Sequence, residues 1–175
     1  TWNGSSWSNG VPDATKDAVI EGDYTSVNDL QGFALICRDL IIIQGANVVF
    51  SPGTSLTCEG NFENNGSLVM QSGSCLITEG AVDGEVQIVR NTTFNKKTFK
   101  YSVMSTPVTT ATTQDLGVVY DLSEAQAQYT LYNGALEVGK GYFSAKTGTV
   151  TFTGVPNTGE ITVTDLTYTP GVDAE

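Results

Sequence analysis

The chain is predicted to be all-β: a short right-handed parallel β-solenoid with an N-terminal cap, followed by an antiparallel β-sandwich-like module. Three observations carry this. Apolar positions between Leu35 and Ile88 recur at about twenty residues, the spacing of a solenoid. Short apolar runs there alternate with Gly, Asn and Ser. The second half has short strand-like runs broken by turn residues at about 8–12-residue spacing, as in a sandwich or meander.

The opening, TWNGSSWSNGVPDATKD, holds both tryptophans among Gly, Asn and Ser. It reads as a looped cap, because two large apolar rings are expected to cover the end of a core. The strand AVIEGDY follows at Ala18 to Tyr24. The repeat proper then begins. Leu40, Val48 and Leu56 are eight apart; Val48 and Leu68, Leu56 and Leu76, and Gly53 and Gly73 are each twenty apart. In a solenoid, inward residues stack on their counterparts one rung away, so Val48, Leu56, Leu68 and Leu76 are expected to point inward. About two and a half rungs are visible, too few to bury their own ends. The Asn64-Asn65-Gly66 corner suits a left-handed backbone.

From Asn91 onward, strands are expected at Phe99–Val103, Gly117–Tyr120, Gln128–Tyr132, Gly141–Ala145, Thr149–Thr153 and Glu160–Thr164. Asn133-Gly134 reads as a two-residue hairpin turn, and Pro156-Asn157-Thr158-Gly159 as another turn. Asp121–Gln128 is the one helix-like patch. The expected division is residues 1–90, cap and solenoid, and 91–175, the sandwich-like module.

Composition excludes several function classes. Charged residues are 15% of the chain, against about 25% in an average domain, so Thr, Ser, Asn and Gly supply the polar surface. The net charge of −11 repels a phosphate backbone and anionic membrane surfaces. No run approaches the roughly 20 apolar residues of a membrane span. With no His in the chain, the usual general base and the Ser-His-Asp and Cys-His arrangements are missing.

The remaining candidates for chemistry are few. Solenoid-borne lyases and hydrolases use clustered carboxylates; Glu59, Glu63, Asp83 and Glu85 are the candidates, expected at corners and turns as solvated acids. Asp13, Asp17, Glu21, Asp23 and Asp29 fall within seventeen residues. The first four are the candidate ligands of a structural calcium ion, set against a reading as solvated loop acids; no other cofactor is expected. Half of the eight basic residues, Arg90, Lys96, Lys97 and Lys100, lie in one stretch. That strip is either a solvated linker or a contact for the acidic face of a neighbouring domain or copy. Cys37 and Cys58 are offset by 21 residues, close to one rung, which makes them a disulfide candidate or an unpaired inward stack. Cys75 aligns with Ser55 and is expected on the opposite face.

Several strings, in order, resemble a module of large surface proteins of Bacteroidota. The opening TWNGSSWSNGVPDATKDAVIEGDY is similar to its Trp-Asn-Gly cap and "AVI-x-GDY" strand, and LICRDLIIIQGANVVFSPGTSLTCEGNFENNGSLVM to its solenoid stretch. IVRNTTF resembles the exit from the solenoid, YSVMSTPV at Tyr101–Val108 a "YTYWSSPV" element, with Met104 in place of Trp. GKGYF at Gly139–Phe143 and FTGVPNTGEITV at Phe152–Val163 resemble "GKGY" and "FTGVPNNGDVTV". The resemblance implies export by the type IX secretion system, an extracellular place on the bacterial cell surface, and a piece of a longer polypeptide, since the family continues into a "GWNLIGNPYPS" element. It implies a non-enzymatic structural or adhesive module, or a fibre subunit, whose partners are neighbouring domains or other copies of itself. The alternative is a carbohydrate-binding accessory module that meets surface glycans through an aromatic platform drawn from Tyr101, Tyr120, Tyr129, Tyr132 and Tyr142.

Overall fold

The computed structural model describes residues 1–28, 34–98, 100–123, 126 and 128–164. Asp29 and Phe99 lie outside the described residues. The fold is nearly all β, a parallel β-solenoid of about three turns followed by an antiparallel sheet.

Each turn of the solenoid gives one strand to each of three parallel sheets. The first turn is β1 (Ala18–Ile20), β2 (Tyr24–Thr25) and β3 (Ala34–Cys37). The second is β4 (Leu40–Ile42), β5 (Asn47–Phe50) and β6 (Ser55–Cys58). The third is β7 (Phe62–Asn64), β8 (Ser67–Met70) and β9 (Cys75–Thr78). β10 (Val82–Asp83) and β11 (Val86–Thr92) begin a fourth. The stacks run β1-β4-β7-β10, β2-β5-β8-β11 and β3-β6-β9.

Side chains alternate along each strand, so a fixed register keeps one set inside. Leu35, Leu56 and Leu76 align, as do Val48 and Leu68. Val48, Leu56 and Leu68 are buried; Leu76, at the end of its sheet, is only half-buried against the core. The solenoid starts earlier than the visible repeat, because β1 and β2 pair with β4 and β5. Their offsets are 22 residues from Ala18 to Leu40 and 24 from Tyr24 to Val48, which hides this rung from a twenty-residue search.

The corners follow from the approach of successive rungs. Gly53 and Gly73 both have left-handed φ, +82° and +91°, and the Gly53 N–H donates to the Gly73 carbonyl at 2.9 Å. At the Asn64-Asn65-Gly66 corner the expectation of a left-handed glycine is corrected. Gly66 lies outside that region; what it needs is space, since a Cβ there would sit 2.6 Å from the Ala46 carbonyl and 2.8 Å from that of Ile43. Asn64 is buried at the inward position below Ile42. Its Nδ2 donates to the Glu85 carbonyl at 2.6 Å, and its Oδ1 accepts from the Gly66 N–H at 3.2 Å.

The first rung is closed by the tryptophans. Trp2 bridges to Ile20, its Nε1 donates to the Asp23 carbonyl at 2.9 Å, and its ring meets Trp7 at 5.5 Å and Tyr24 at 5.2 Å. Tyr24 in turn packs on Phe50, 5.7 Å away, so the aromatic cap joins the solenoid core.

The second part contains β12 (Ser102–Met104), α1 (Thr113–Leu116), β13 (Val119–Ser123), β14 (Gln128–Tyr132), β15 (Tyr142–Ser144) and β16 (Gly148–Gly154). The antiparallel sheet has the order β12-β15-β13-β14. β16 leaves it and pairs antiparallel with β11 along seven residues, Val86 opposite Gly154 through Thr92 opposite Gly148. The last rung thus receives a strand from the second part, and the expected boundary at residue 90 falls inside β11. Phe152 and Val150 are fully buried there. The Pro156–Gly159 turn adds polar clasps: Thr158 Oγ1 donates to the carbonyls of Thr78 and Gly80, both at 2.9 Å, and Asn157 Nδ2 to that of Thr106, also at 2.9 Å.

Three local expectations are corrected. Asn133-Gly134 makes no hairpin, because β14 pairs with β13 and not with the following strand. It caps α1 instead: Thr113 Oγ1 donates to Asn133 Oδ1 at 3.0 Å and the Thr113 N–H donates to the Gly134 carbonyl at 2.9 Å. The helix-like patch at Asp121–Gln128 begins as strand β13, while the helix at Thr113–Leu116 starts from a capping box of Thr112 and Asp115. Glu160–Thr164 forms no strand; its alternating apolar residues Ile161 and Val163 run past Gly139, whose missing side chain leaves them room.

Phe62 sits at the centre of this stack, fully buried between Leu40 and Val82. Phe62→Ala should lower unfolding stability by about 3–5 kcal/mol, whereas Glu63→Ala, on the exposed face of the same strand, should stay within about 0.5 kcal/mol of the parent. Urea titration of both variants checks this.

Candidate functional site

Alternation along β13, β14 and β15 gives the antiparallel sheet two unlike faces. Val119, Tyr142 and Ser144 point inward and are buried. On that side Tyr132 and Tyr142 stack at 5.1 Å, and both hydroxyls are bonded within the fold: Tyr132 donates to the Ala135 carbonyl at 2.6 Å, and Tyr142 accepts from the Glu137 N–H at 3.1 Å. The Lys140 ammonium lies 5.4 Å from the Tyr142 ring centre and 2.7 Å from the Asp121 carboxylate, whose hydrogen bond raises the lysine's pKa. Burial pushes up the Tyr142 phenol.

The outward face carries Tyr120 opposite Phe143, Leu122 opposite Tyr129, and Val103 beside Phe143. Tyr101, two residues before Val103, joins them. Tyr101 meets Tyr120 at 5.8 Å and Phe143 at 6.3 Å, with interplanar angles of 73° and 86°; Tyr129 meets Phe143 at 4.7 Å and 74°. The four rings line a cleft of about 400 Å³. Leu131 and Val103, at 71% and 63% exposed, continue the apolar surface beyond it.

The five tyrosines expected as a platform are therefore divided. Tyr101, Tyr120 and Tyr129 line the cleft; Tyr132 and Tyr142 belong to the opposite face. Phe143 was missed, although its place next to Tyr142 in a strand puts the two rings on opposite faces and was the available signal.

The first-turn acids are not brought together. Asp13 accepts hydrogen bonds from Lys16 at 2.7 Å and from the Thr15 hydroxyl and N–H; these hold its carboxyl down at about 2, the lysine bond contributing most. Asp17 receives both Nε and Nη2 of Arg38 at 2.8 Å, a fork that raises the guanidinium's pKa. Asp23 accepts from the side chain and N–H of Asn47, which lower its pKa. Glu21 is exposed. Among the described residues, no group of three or more acidic or sulfur ligands is placed to hold a metal ion.

Glu63 and Asp83 are not corner residues: they lie on β7 and β10, side by side on the outer face of neighbouring rungs. Glu59 and Glu85 are exposed elsewhere. Lys96, Lys97 and Lys100 are exposed around a turn closed by the Asn95–Lys100 bridge, while Arg90 stands apart on β11 with its Nη1 donating to the Val89 carbonyl at 2.8 Å.

Cys37 and Cys58 are register partners on β3 and β6, both buried and both free thiols. Neighbouring strands lie about 4.8 Å apart, within the Cα range of a disulfide. Each sulfur also lies near a rung carbonyl, Cys58 Sγ 3.2 Å from that of Asn61 and Cys37 Sγ 3.6 Å from that of Thr57. The hydrogen bond between the two thiols and then burial push the Cys37 pKa far up. Cys75 aligns with Ser55 and faces outward.

A family model described as "Domain of unknown function (DUF8693)" matches residues 1–171. The chain belongs to this family. No curated protein and no solved structure matches it. The DUF8693 chain thus spans cap, solenoid and the strands of the second sheet as one family unit. No helix among its described residues is long and apolar enough to cross a membrane.

The three cysteines of this DUF8693 chain should separate in a thiol titration with Ellman's reagent under native, reducing-agent-free conditions. One thiol should react rapidly, vanish in Cys75→Ser, and be joined by the other two on unfolding. Two or more fast thiols in the native protein would contradict the packing of Cys37 and Cys58.

Proposed function

We propose that this chain is a non-catalytic structural and adhesive module of a secreted bacterial surface protein. The observation that carries the reading is the shared strand β11. It closes the parallel stack through β8 on one side and receives β16 on the other, so that the last solenoid rung and a strand of the second part share one hydrogen-bonded sheet. Such a join suits a spacer that must hold its shape and transmit load, since bending it requires breaking a seven-residue ladder.

The chemistry of the side chains supports the same reading. The chain has no His, and its inward solenoid positions are almost wholly apolar. The Glu63–Asp83 pair is solvent-facing, with Asn65 donating to Glu63 at 2.6 Å. The chain's collinear resemblance to exported Bacteroidota surface proteins supports an extracellular setting for the module. Partners are neighbouring domains of the same polypeptide or other copies; β14 lies at the edge of its sheet and pairs on one side only among the described residues, which offers an edge on which a further strand can add.

Two measurements test the reading. Denaturant unfolding followed by tryptophan fluorescence, which sees only the cap, and by hydrogen exchange in β13–β15 should give coincident transitions. Two separated transitions would make the parts independent beads and overturn the rigid-spacer reading. Incubation with alginate, pectin, cellulose and xylan should release no oligosaccharide; turnover lost in Glu63→Gln or Asp83→Asn would overturn the non-catalytic reading.

A further inference from the structure

We propose that the aromatic cleft on the outward face of the antiparallel sheet is a saccharide-binding site, an inference that rests on the adhesive part of the reading above and supplies its ligand. The described residues lining the cleft are all aromatic: Tyr101, Tyr120, Tyr129 and Phe143. Their rings meet at 73–86°. The cleft therefore has a floor and walls, and presents both ring faces and ring edges to whatever enters.

The hydroxyls distinguish this cluster from ordinary packing. Tyr132 and Tyr142, on the inner face, have theirs bonded within the fold. The phenols of Tyr101, Tyr120 and Tyr129 make no hydrogen bond to another described residue, while their rings pack on one another and on Phe94 and Phe143. A pyranose ring matches that combination. Its C–H faces are apolar and flat enough to lie on an aromatic ring, while its rim of hydroxyls both donates and accepts, as a phenol does. A purely apolar chain would leave three phenols without partners as it displaced their water. A nucleic acid is repelled by the net charge of −11. The cleft, at about 400 Å³, falls at the lower end of small-ligand pockets, room for one or two sugar units of a longer chain.

A protein partner laid on the same face makes a different demand. It would cover Leu131 and Val103 together with the rings, because all project from one pleated surface. A saccharide held in the cleft touches the rings and spares Leu131. This difference sets the experiment.

The full 175-residue chain is titrated by calorimetry with cellohexaose, mannohexaose, xylohexaose and hexagalacturonate, and bound and free saccharides are analysed afterwards for cleavage. At least one should bind. Tyr129→Ala, at a half-exposed ring, and Tyr120→Phe, which removes only a hydroxyl, should weaken it, the first by about tenfold or more, equivalent to about 1.4 kcal/mol. Leu131→Ser should bind as the parent does. Circular dichroism establishes that each variant is folded. No binding by any of the four saccharides, or binding that Tyr129→Ala leaves intact, overturns the site. A concentration-dependent dimer abolished by Leu131→Ser, with no saccharide binding, reassigns the face to a second copy. Cleavage of a bound saccharide would sink the non-catalytic reading while leaving the site in place.

Discussion

The register between successive rungs is the constraint on which the rest of this structure depends. Strands stacked about 4.8 Å apart put like positions directly above one another. A slip of one residue in any rung would turn its inward set to solvent. The aligned positions show how the chain holds this register. Leucine lies above leucine in β3, β6 and β9, and Val48 above Leu68. The one buried asparagine of the third rung, Asn64, spends its amide on the next rung's main chain. Gly66 exists for the same reason, because the backbones at that corner approach too closely for a Cβ. The buried thiols follow too: in the same register, Cys37 and Cys58 are neighbours.

A stack of three rungs leaves two apolar ends, and the chain closes them by different means. At the first end, rings do the work. Trp2 and Trp7 each meet Tyr24 edge to face, and Tyr24 continues into Phe50, which covers the end without needing a further strand. At the other end, β16 pairs with β11 in the reverse direction. An antiparallel partner breaks the parallel pattern, so no fourth full rung can follow on that sheet. The polar clasps of Asn157 and Thr158 hold the same junction from the side. The transition from solenoid to antiparallel sheet is therefore also the solenoid's lower cap.

Much of this was legible in the sequence, and the failures have physical causes. The twenty-residue recurrence of Val48 with Leu68 and of Gly53 with Gly73 survives because corners of equal length separate those strands. The first rung escaped notice because Tyr24 and Val48 are 24 apart; longer corners add residues without disturbing the stacking. Asn133-Gly134 misled because its turn chemistry is local, whereas strand pairing is decided by tertiary contacts; the same two residues serve as partners for Thr113. Ile161 and Val163 alternate like a strand, yet they are satisfied by the bare surface over Gly139. At the site, composition identified the tyrosines but not their faces. Reading the period of two through Tyr142 and Phe143 separates the inner ring from the outer one.

The outward rings also conflict with what the fold requires for stability. The inner face of the antiparallel sheet already buries Val119, Tyr142 and Ser144 and satisfies the polar atoms of its tyrosines. The outer face needs only residues that tolerate a pleated strand and water, and the Thr and Ser abundant elsewhere in this chain would serve. Instead Tyr101, Tyr120, Tyr129 and Phe143 converge from four separate segments on one cleft. Large apolar surface left in water raises the tendency to aggregate. Where local choices depart from the pattern the rest of a chain keeps, function is the usual cause. Here the aromatic departure falls on a face that does nothing for the core, and it consists of the side chains best suited to gripping a ligand that is apolar on its faces and polar at its rim.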